Sequence, residues 1–384
     1  MAGQHPVREK KIMMAGITLE HLSETILQQR PLKRDFVAPT RQLTLVTPNQ
    51  TPSLAFNVDN RDHLAELTPL ALRQIGAWAG IPVKYLDLIS QGEHLDLLST
   101  NVNHWLQHSE KKRLVRMLQA DKTTARAFLS ERFCLTRDHY DLALHVIPRL
   151  RQAGMEVKSC QLTDKRLYIQ AVDTRLMRRI QARVHDRVVD DTLYAGVVIS
   201  NCEVGLGPTA IDPMVYRLLC TNGMIAGKGL RNYIVGASNI HRNHLGYNLS
   251  GGMDNPDAFE VFKRDTISAT DEAFWLQVRD VLDAALSEAQ FHAIVDRMQS
   301  AADTQLPIEP ARIVEVTAQR LELSSDEAER LMRQLFTDGA GSLYDLMNGV
   351  TRIAQDSENY DRAVELERLG SDVLTFDPSI FAKN

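Results

Sequence analysis

The run Ala195-Gly-Val-Val-Ile199, followed at once by Ser-Asn-Cys-Glu-Val-Gly-Leu-Gly207, constrains the fold more than any other part of the chain. A short apolar run rich in β-branched residues, bounded by polar and glycine residues, suits a buried strand. The chain must then leave the sheet through a glycine-rich segment. A second apolar run, Met214 to Leu219, is interrupted by Arg217 and ends in Cys-Thr-Asn-Gly223. Asn-Gly commonly supplies positive φ in a turn. The stretch closes on Arg231, His241, Arg242 and His244. Nowhere else do so many glycines and polar groups stand beside apolar strands, so the functional site is sought here.

The flanking sequence sets the fold class. Leu43–Thr47 and Leu54–Val58 alternate like two short strands. Thr68-Pro69 opens a helix that Gly80 stops, and a short second helix follows from Val83 to Ile89. Leu95 to Leu118 reads as one long, increasingly basic helix. Thr124–Leu135 reads as a strand, and Asp138 caps a helix running to Leu150. Met155–Val172 reads as a β-hairpin with its turn at Asp164-Lys165. Arg175, Arg178, Arg179, Arg183 and Arg187 recur at three- to four-residue intervals, as on one side of a helix or in a flexible basic arm. From Asp257 onward nearly everything is helical. The expected architecture is α+β: a central antiparallel sheet with packed helices, followed by a mostly helical C-terminal region. A chain of 384 residues exceeds one ordinary core. Three segments are drawn: 1–103 with short strands and a helical pair, 104–253 as a basic α+β core, and 254–384 as an acidic helical domain.

Charge enters because it is uneven. Residues 104–187 hold 18 Lys and Arg against 9 Asp and Glu, whereas residues 254–384 hold 12 against 26. Such asymmetry can mark a polyanion-binding face, although a solvated surface accounts for it equally well. No apolar run approaches the ~20 residues that span a bilayer, and no signal peptide is recognised at the N-terminus. Cys134, Cys160, Cys202 and Cys220 show no C-x-x-C pairing, which suits reduced thiols. The expected location is cytoplasmic, with no membrane partner.

The chemistry candidates are few. Gly223-Met-Ile-Ala-Gly-Lys228-Gly229 has three residues between its glycines and no Ser or Thr after the lysine, so it lacks both requirements of a phosphate loop. No nucleotide or other cofactor is expected. Glu203 with His241 and His244 offers a metal set for phosphodiester cleavage, but its spacing matches no strong signature. Asn201, Glu203 and Asn222 flank glycines at strand ends, where they either shape a ligand site or close turns. Arg126, Arg132, Lys165, Arg166, Arg175, Arg178, Arg179, Arg183, Arg217, Arg231 and Arg242 are candidate phosphate contacts. Tyr168 and Tyr233 lie near arginines and are candidate stacking rings.

Four segments carry a family resemblance: Ala127–Phe133, Ile199–Gly207, Arg217–Met224 and Leu346-Met-Asn-Gly-Val-Thr351. With Leu67–Pro82 and Tyr85-Leu86, they resemble the prokaryotic domain-of-unknown-function family number nine hundred thirty-two, common on phages, prophages and plasmids. The resemblance runs from about residue 50 to 375, and its middle two motifs are the specific ones. Relatives often carry Ser after the Asn where this chain has Cys202, which argues against an essential nucleophile there. The resemblance implies an intracellular mobile-element protein and supplies no reaction. A weaker likeness in outline is to phage single-strand annealing proteins, which act without nucleotide as rings or filaments. The expectation is a single-stranded DNA-binding, homo-oligomeric protein of mobile elements, extending to ATP-independent strand annealing in recombination. A metal-dependent nucleic-acid-processing enzyme and a protein-interaction factor acting on a host system are the alternatives. Catalysis is left open, with binding favoured.

Overall fold

The computed structural model describes residues 16–58, 61–131, 133, 137–184, 187–217, 223–226, 264–306, 309–338 and 341–382. The protein is α+β, built on two sheets. After helix α1 (Leu19–Gln29), the first sheet takes β1 (Lys33–Pro39), β2 (Leu43–Val46), β3 (Ser53–Val58) and β4 (Arg61–Leu67). Helices α2 (Pro69–Ala79), α3 (Val83–Ile89) and α4 (Leu95–Gln107) follow, and β5 (Lys112–Gln119) and β6 (Thr123–Ser130) complete the sheet. The order is β1-β5-β6-β4-β3-β2, antiparallel except where β4 meets β6. Phe36 of β1 reaches Phe56 of β3 and His63 of β4 at centroid distances of 5.7 and 4.9 Å. In a flat sheet four strand spacings would separate β1 from β3 by about 19 Å, so the sheet curls. Leu72, Ile75, Leu86, Leu98 and Val102 of α2, α3 and α4 fill its concave side with Leu54, Val115 and Ala125.

The α2 boundaries follow the local chemistry. Thr68 Oγ1 accepts the Ala71 N–H at 3.2 Å, Pro69 takes the first turn, and Gly80 stops the helix at φ 72°. The single helix expected over Leu95–Leu118 is not formed. α4 ends at Gln107, and β5 starts five residues on. β5 lies between β1 and β6 with Leu114, Val115, Arg116 and Met117 all buried. A central strand covered on both faces has no polar alternation, so it resembles a helix segment.

The second sheet is antiparallel, with order β11-β10-β9-β8-β7. Helix α5 (His139–Gln152) leads into β7 (Glu156–Leu162), β8 (Leu167–Val184), β9 (Arg187–Asn201), β10 (Ala210–Arg217) and β11 (Gly223–Ile225). This is the expected central sheet, and β7–β8 is the expected hairpin. The arginine-rich segment is neither a helix nor a loose arm: β8 continues through it. A register shift between Asp173 and Met177 is followed by unbroken pairing with β9 to Val184↔Arg187. Burial there has period two, with Ile180 inside and Met177, Arg179 and Gln181 outside. The ladder to β9 prevails over the helical spacing of the arginines.

Among the described residues the remaining helices are α6 (Arg264–Ala285), α7 (Glu288–Asp303), α8 (Pro310–Leu321), α9 (Ser325–Asp338), α10 (Leu343–Ala354) and α11 (Tyr360–Val373), giving the expected helical C-terminal region. α1, α5 and α6 bury Ile169, Val197, Ile199 and Ile211 on one sheet face. Farther along that face, Ile180, Leu193, Ala195 and Val215 join the core of α7 to α10. On the opposite face Tyr360 and Val364 of α11 pack on Val172, Val198 and Met214. β5 and β6 fall within residues 104–253 but pair with β1 and β4, so the first sheet draws on two of the sequence segments.

Candidate functional site

The segment after β9 joins the two sheets. Gly205 at φ 79° and Gly207 at φ 151° adopt backbone conformations that L side chains rarely enter. They turn the chain from Asn201 back to β10 at Ala210. The turn presses Cys202 and Val204 onto Leu114, Ala127 and Leu129 of the first sheet. Gln74 of α2 ties it down: its Nε2 donates to the Val204 carbonyl at 2.7 Å, and its Oε1 accepts the Phe128 N–H at 2.8 Å.

Glu203 occupies the centre of this junction and is 1% exposed. Its Oε1 accepts Lys33 Nζ at 2.5 Å and the His139 backbone N–H at 2.8 Å, and its Oε2 accepts Arg126 Nη1 at 3.0 Å. The N–H of His139 belongs to the first turn of α5, where the helix dipole favours an anion. Arg126 reaches Glu203 because β6 is bulged. Arg116 pairs with Ala127 and Met117 with Ala125, so Arg126 is the extra residue. A bulge re-aims a side chain in this way. Arg116, itself 1% exposed, donates to the Glu203 carbonyl at 3.0 Å and to both Asp35 and Asp138 at 2.9 Å. Asp138 caps α5 in a capping box with Asp141.

Three cations, Lys33, Arg116 and Arg126, thus face three carboxylates, Asp35, Asp138 and Glu203. Burial pushes the Glu203 pKa up, but its ionic neighbours overcome this and hold it well below the usual carboxylate range. Burial drives His139 down to about 3, so its ring is neutral at physiological pH and the three cations offset the Glu203 charge. Asp138 is raised by burial, with Glu203 adding to the effect and Arg116 and Lys33 opposing it. Both Glu203 oxygens are engaged by donors of the chain itself, an arrangement suited to clasping two sheets. Arg126 Nε and Nη2 are buried without a hydrogen-bond partner.

Asn201 closes the turn. Its Nδ2 donates to the Arg137 carbonyl at 3.0 Å and lies 3.2 Å from His139 Nδ1, and its Oδ1 accepts Thr209 Oγ1 at 2.7 Å. Arg166 donates to the Leu206 and Pro208 carbonyls at 3.1 and 3.4 Å, bracing the same turn. Asn201, Glu203, Arg126 and Arg166 therefore come together.

Arg217 belongs to a separate buried network. It donates to Asp191 Oδ2 through Nε at 2.7 Å and to Asn348 Oδ1 through Nη1 at 2.5 Å. Tyr344 Oη also donates to Asp191 Oδ2, at 2.7 Å. Here the Arg217–Met224 and Leu346–Thr351 motifs meet, 131 residues apart in sequence.

The other candidates disperse. Arg175 is engaged by Asp173 and the Ala153 carbonyl, and Arg178 pairs with Asp296 at 2.6 Å. Tyr168 is not the exposed ring expected: it is 2% exposed and donates to Asp361 Oδ1 at 2.8 Å. Its position on β8 opposite Ser200 turns it onto the α11 face. Lys165 is exposed in the β7–β8 turn, Arg179 is exposed on β8, and Arg183 stands opposite Val188 near the strand end. Arg132, Asn222, Arg231, Tyr233, His241, Arg242 and His244 lie outside the described residues. Lys33, Asp35, Arg116 and Asn348 are not among the site residues that the sequence points to, and Asp138 reads there only as a cap.

Among the described residues, no group of three or more His, Cys, Asp and Glu is placed to hold a metal ion. None of the helices is long and apolar enough to cross a membrane, among the described residues. Comparison with known proteins finds no matching family model, curated protein or solved structure.

Proposed function

We propose that this chain binds single-stranded nucleic acid as a mobile-element protein, holding the strand extended for pairing without a nucleotide, with copies of the chain associating. The observation that carries this reading is the outer part of the β8–β9 hairpin. Residues Arg179–Val184 and Arg187–Thr192 pair with each other beyond Leu193, the last β10 partner among the described residues. They form a two-stranded ribbon about 20 Å long. α7 supports it: Arg178 pairs with Asp296, and Gln181 exchanges backbone hydrogen bonds with the Gln299 amide. A rigid strand positions contacts better than a loop does. Arg179 is exposed, with no ion-pair partner among the described residues, and Arg183 occupies the position four residues on. Guanidinium groups along an extended strand suit an extended phosphate chain, since each neutralised phosphate releases counterions.

The test is binding of labelled single-stranded and duplex DNA across a salt series. Tight single-strand binding that weakens steeply with salt is expected, together with strand annealing in the absence of ATP. Absence of binding at low salt, or binding indifferent to salt, would overturn the reading.

A further inference from the structure

The face of the second sheet on which α11 packs carries, beside the ribbon, a row of side chains. Met177 of β8 stands opposite Tyr194 of β9, and Tyr194 stands opposite Tyr216 of β10. Directly opposed residues share a face, so the three form one row, about 10 Å across three strands. Met177 is 44% exposed, and both tyrosines are half-buried, packed against the cluster that holds Val172 and Val198. Arg179 follows Met177 on the same face, about 7 Å along the strand. Asp190 lies farther out along the ribbon, opposite Gln181. Burial raises the Tyr216 pKa, with Glu156 and Glu367 adding to it and Lys158 opposing, and Lys158 is paired with Glu156 at 2.5 Å.

Partly exposed phenol rings and a thioether beside an exposed guanidinium form a surface for something planar, apolar and anionic. Unpaired bases on a phosphate chain fit that description, because every base has a π-face and stacking on aromatic rings tolerates any sequence. Paired bases are enclosed in the duplex stack and present no such face to a flat ledge. Resting on the function proposed above, we infer that Met177, Tyr194 and Tyr216 are a stacking floor for unpaired bases, with Arg179 on the adjoining phosphate.

The full-length protein would be titrated into a single-stranded oligonucleotide containing 2-aminopurine, and into the matching duplex. Wild type should quench the single-stranded probe and bind duplex weakly. Tyr194→Leu with Tyr216→Leu keeps the apolar underside and removes the rings. It should abolish the quench and weaken binding about tenfold per ring. Tyr194→Phe with Tyr216→Phe keeps both rings and should bind like wild type, which separates stacking from a folding defect. Salt-dependent binding by wild type that survives the leucine pair unchanged, or that disappears in the phenylalanine pair, would overturn the ledge and leave the proposed function standing. Duplex binding as tight as single-strand binding would also remove the ledge. Failure of wild type to bind any oligonucleotide at low salt would remove the function, and the ledge with it.

Discussion

Replacing Glu203 by Ala leaves Lys33 and Arg126 charged, largely buried and short of their shared carboxylate. Breaking a buried ion pair from one side typically destabilises by about 3–5 kcal/mol, because the remaining charge is uncompensated. A loss of that size should appear in urea unfolding at neutral pH, and a change below about 1 kcal/mol would mean that water reaches the cluster freely. Two buried groups give opposing pH slopes. His139 falls from an ordinary 6.5 to about 3 because burial disfavours its cation. Below pH 6.5 the unfolded chain takes up a proton that the folded chain refuses, so this group costs stability as pH drops from 6.5 towards 3. Glu367 rises to about 8, with burial outweighing the Gly223 N–H, Arg368 and Gln170. Between 4.5 and 8 the unfolded chain is ionised while the folded chain keeps its proton, so stability falls as pH rises through that window and levels off above it. Thermal unfolding of Glu367→Gln should therefore show a higher Tm than wild type at pH 8 and a flatter profile between pH 5 and 8. Equal slopes for the two proteins would place Glu367 in contact with solvent.

Helical amides close two strand residues against unwanted pairing. Asn103 of α4 donates to the Leu45 carbonyl at 2.9 Å and accepts the Leu45 N–H at 2.7 Å. Gln299 of α7 treats Gln181 in the same way, at 3.3 and 3.1 Å. Each side chain imitates one rung of a neighbouring strand, which blunts an edge. The Asn103 pair is part-buried and the Gln299 pair exposed, so Asn103→Ala should cost about 1–3 kcal/mol and Gln299→Ala under about 1. Amide exchange at Leu45 should quicken in Asn103→Ala, and unchanged exchange there would show that a different group shields the edge. Much at this scale was legible in sequence. Thr68 and Asp138 mark real helix starts, because capping is decided within three residues. The failures share a cause. β5 and the outer part of β8 owe their conformation to pairing partners that are remote in the chain, and local spacing carries no trace of them. The junction behaves likewise. The glycines and Glu203 signalled a special place, but its partners Lys33 and Arg116 lie 170 and 87 residues away.

At the scale of the whole molecule, each sheet has its own core, and among the described residues one small apolar cluster joins them. Ile75, Leu98 and Val115 belong to one cluster, and Ile169, Val197 and Phe274 to another. Between the sheets lie the charged clasp and a small cluster in which Cys202 and Val204 meet Leu114 and Leu129. If the clasp couples the two halves, its loss should split their unfolding. Trp78 packs against the first core and Trp275 within the second, so single-tryptophan variants report the halves separately. In the otherwise wild-type protein the two signals should change at one urea concentration. In Glu203→Ala the Trp78 signal should move first, because the second sheet is also held by the core of α7 to α10 and the first sheet has no such addition among the described residues. Coincident transitions in Glu203→Ala would mean that the coupling passes through what the variant keeps, the packing of Cys202 and Val204 and the Gln74 and Arg116 contacts. The Glu203 carboxylate would then serve to select the register in which the sheets meet, a role buried charges can fill without adding stability.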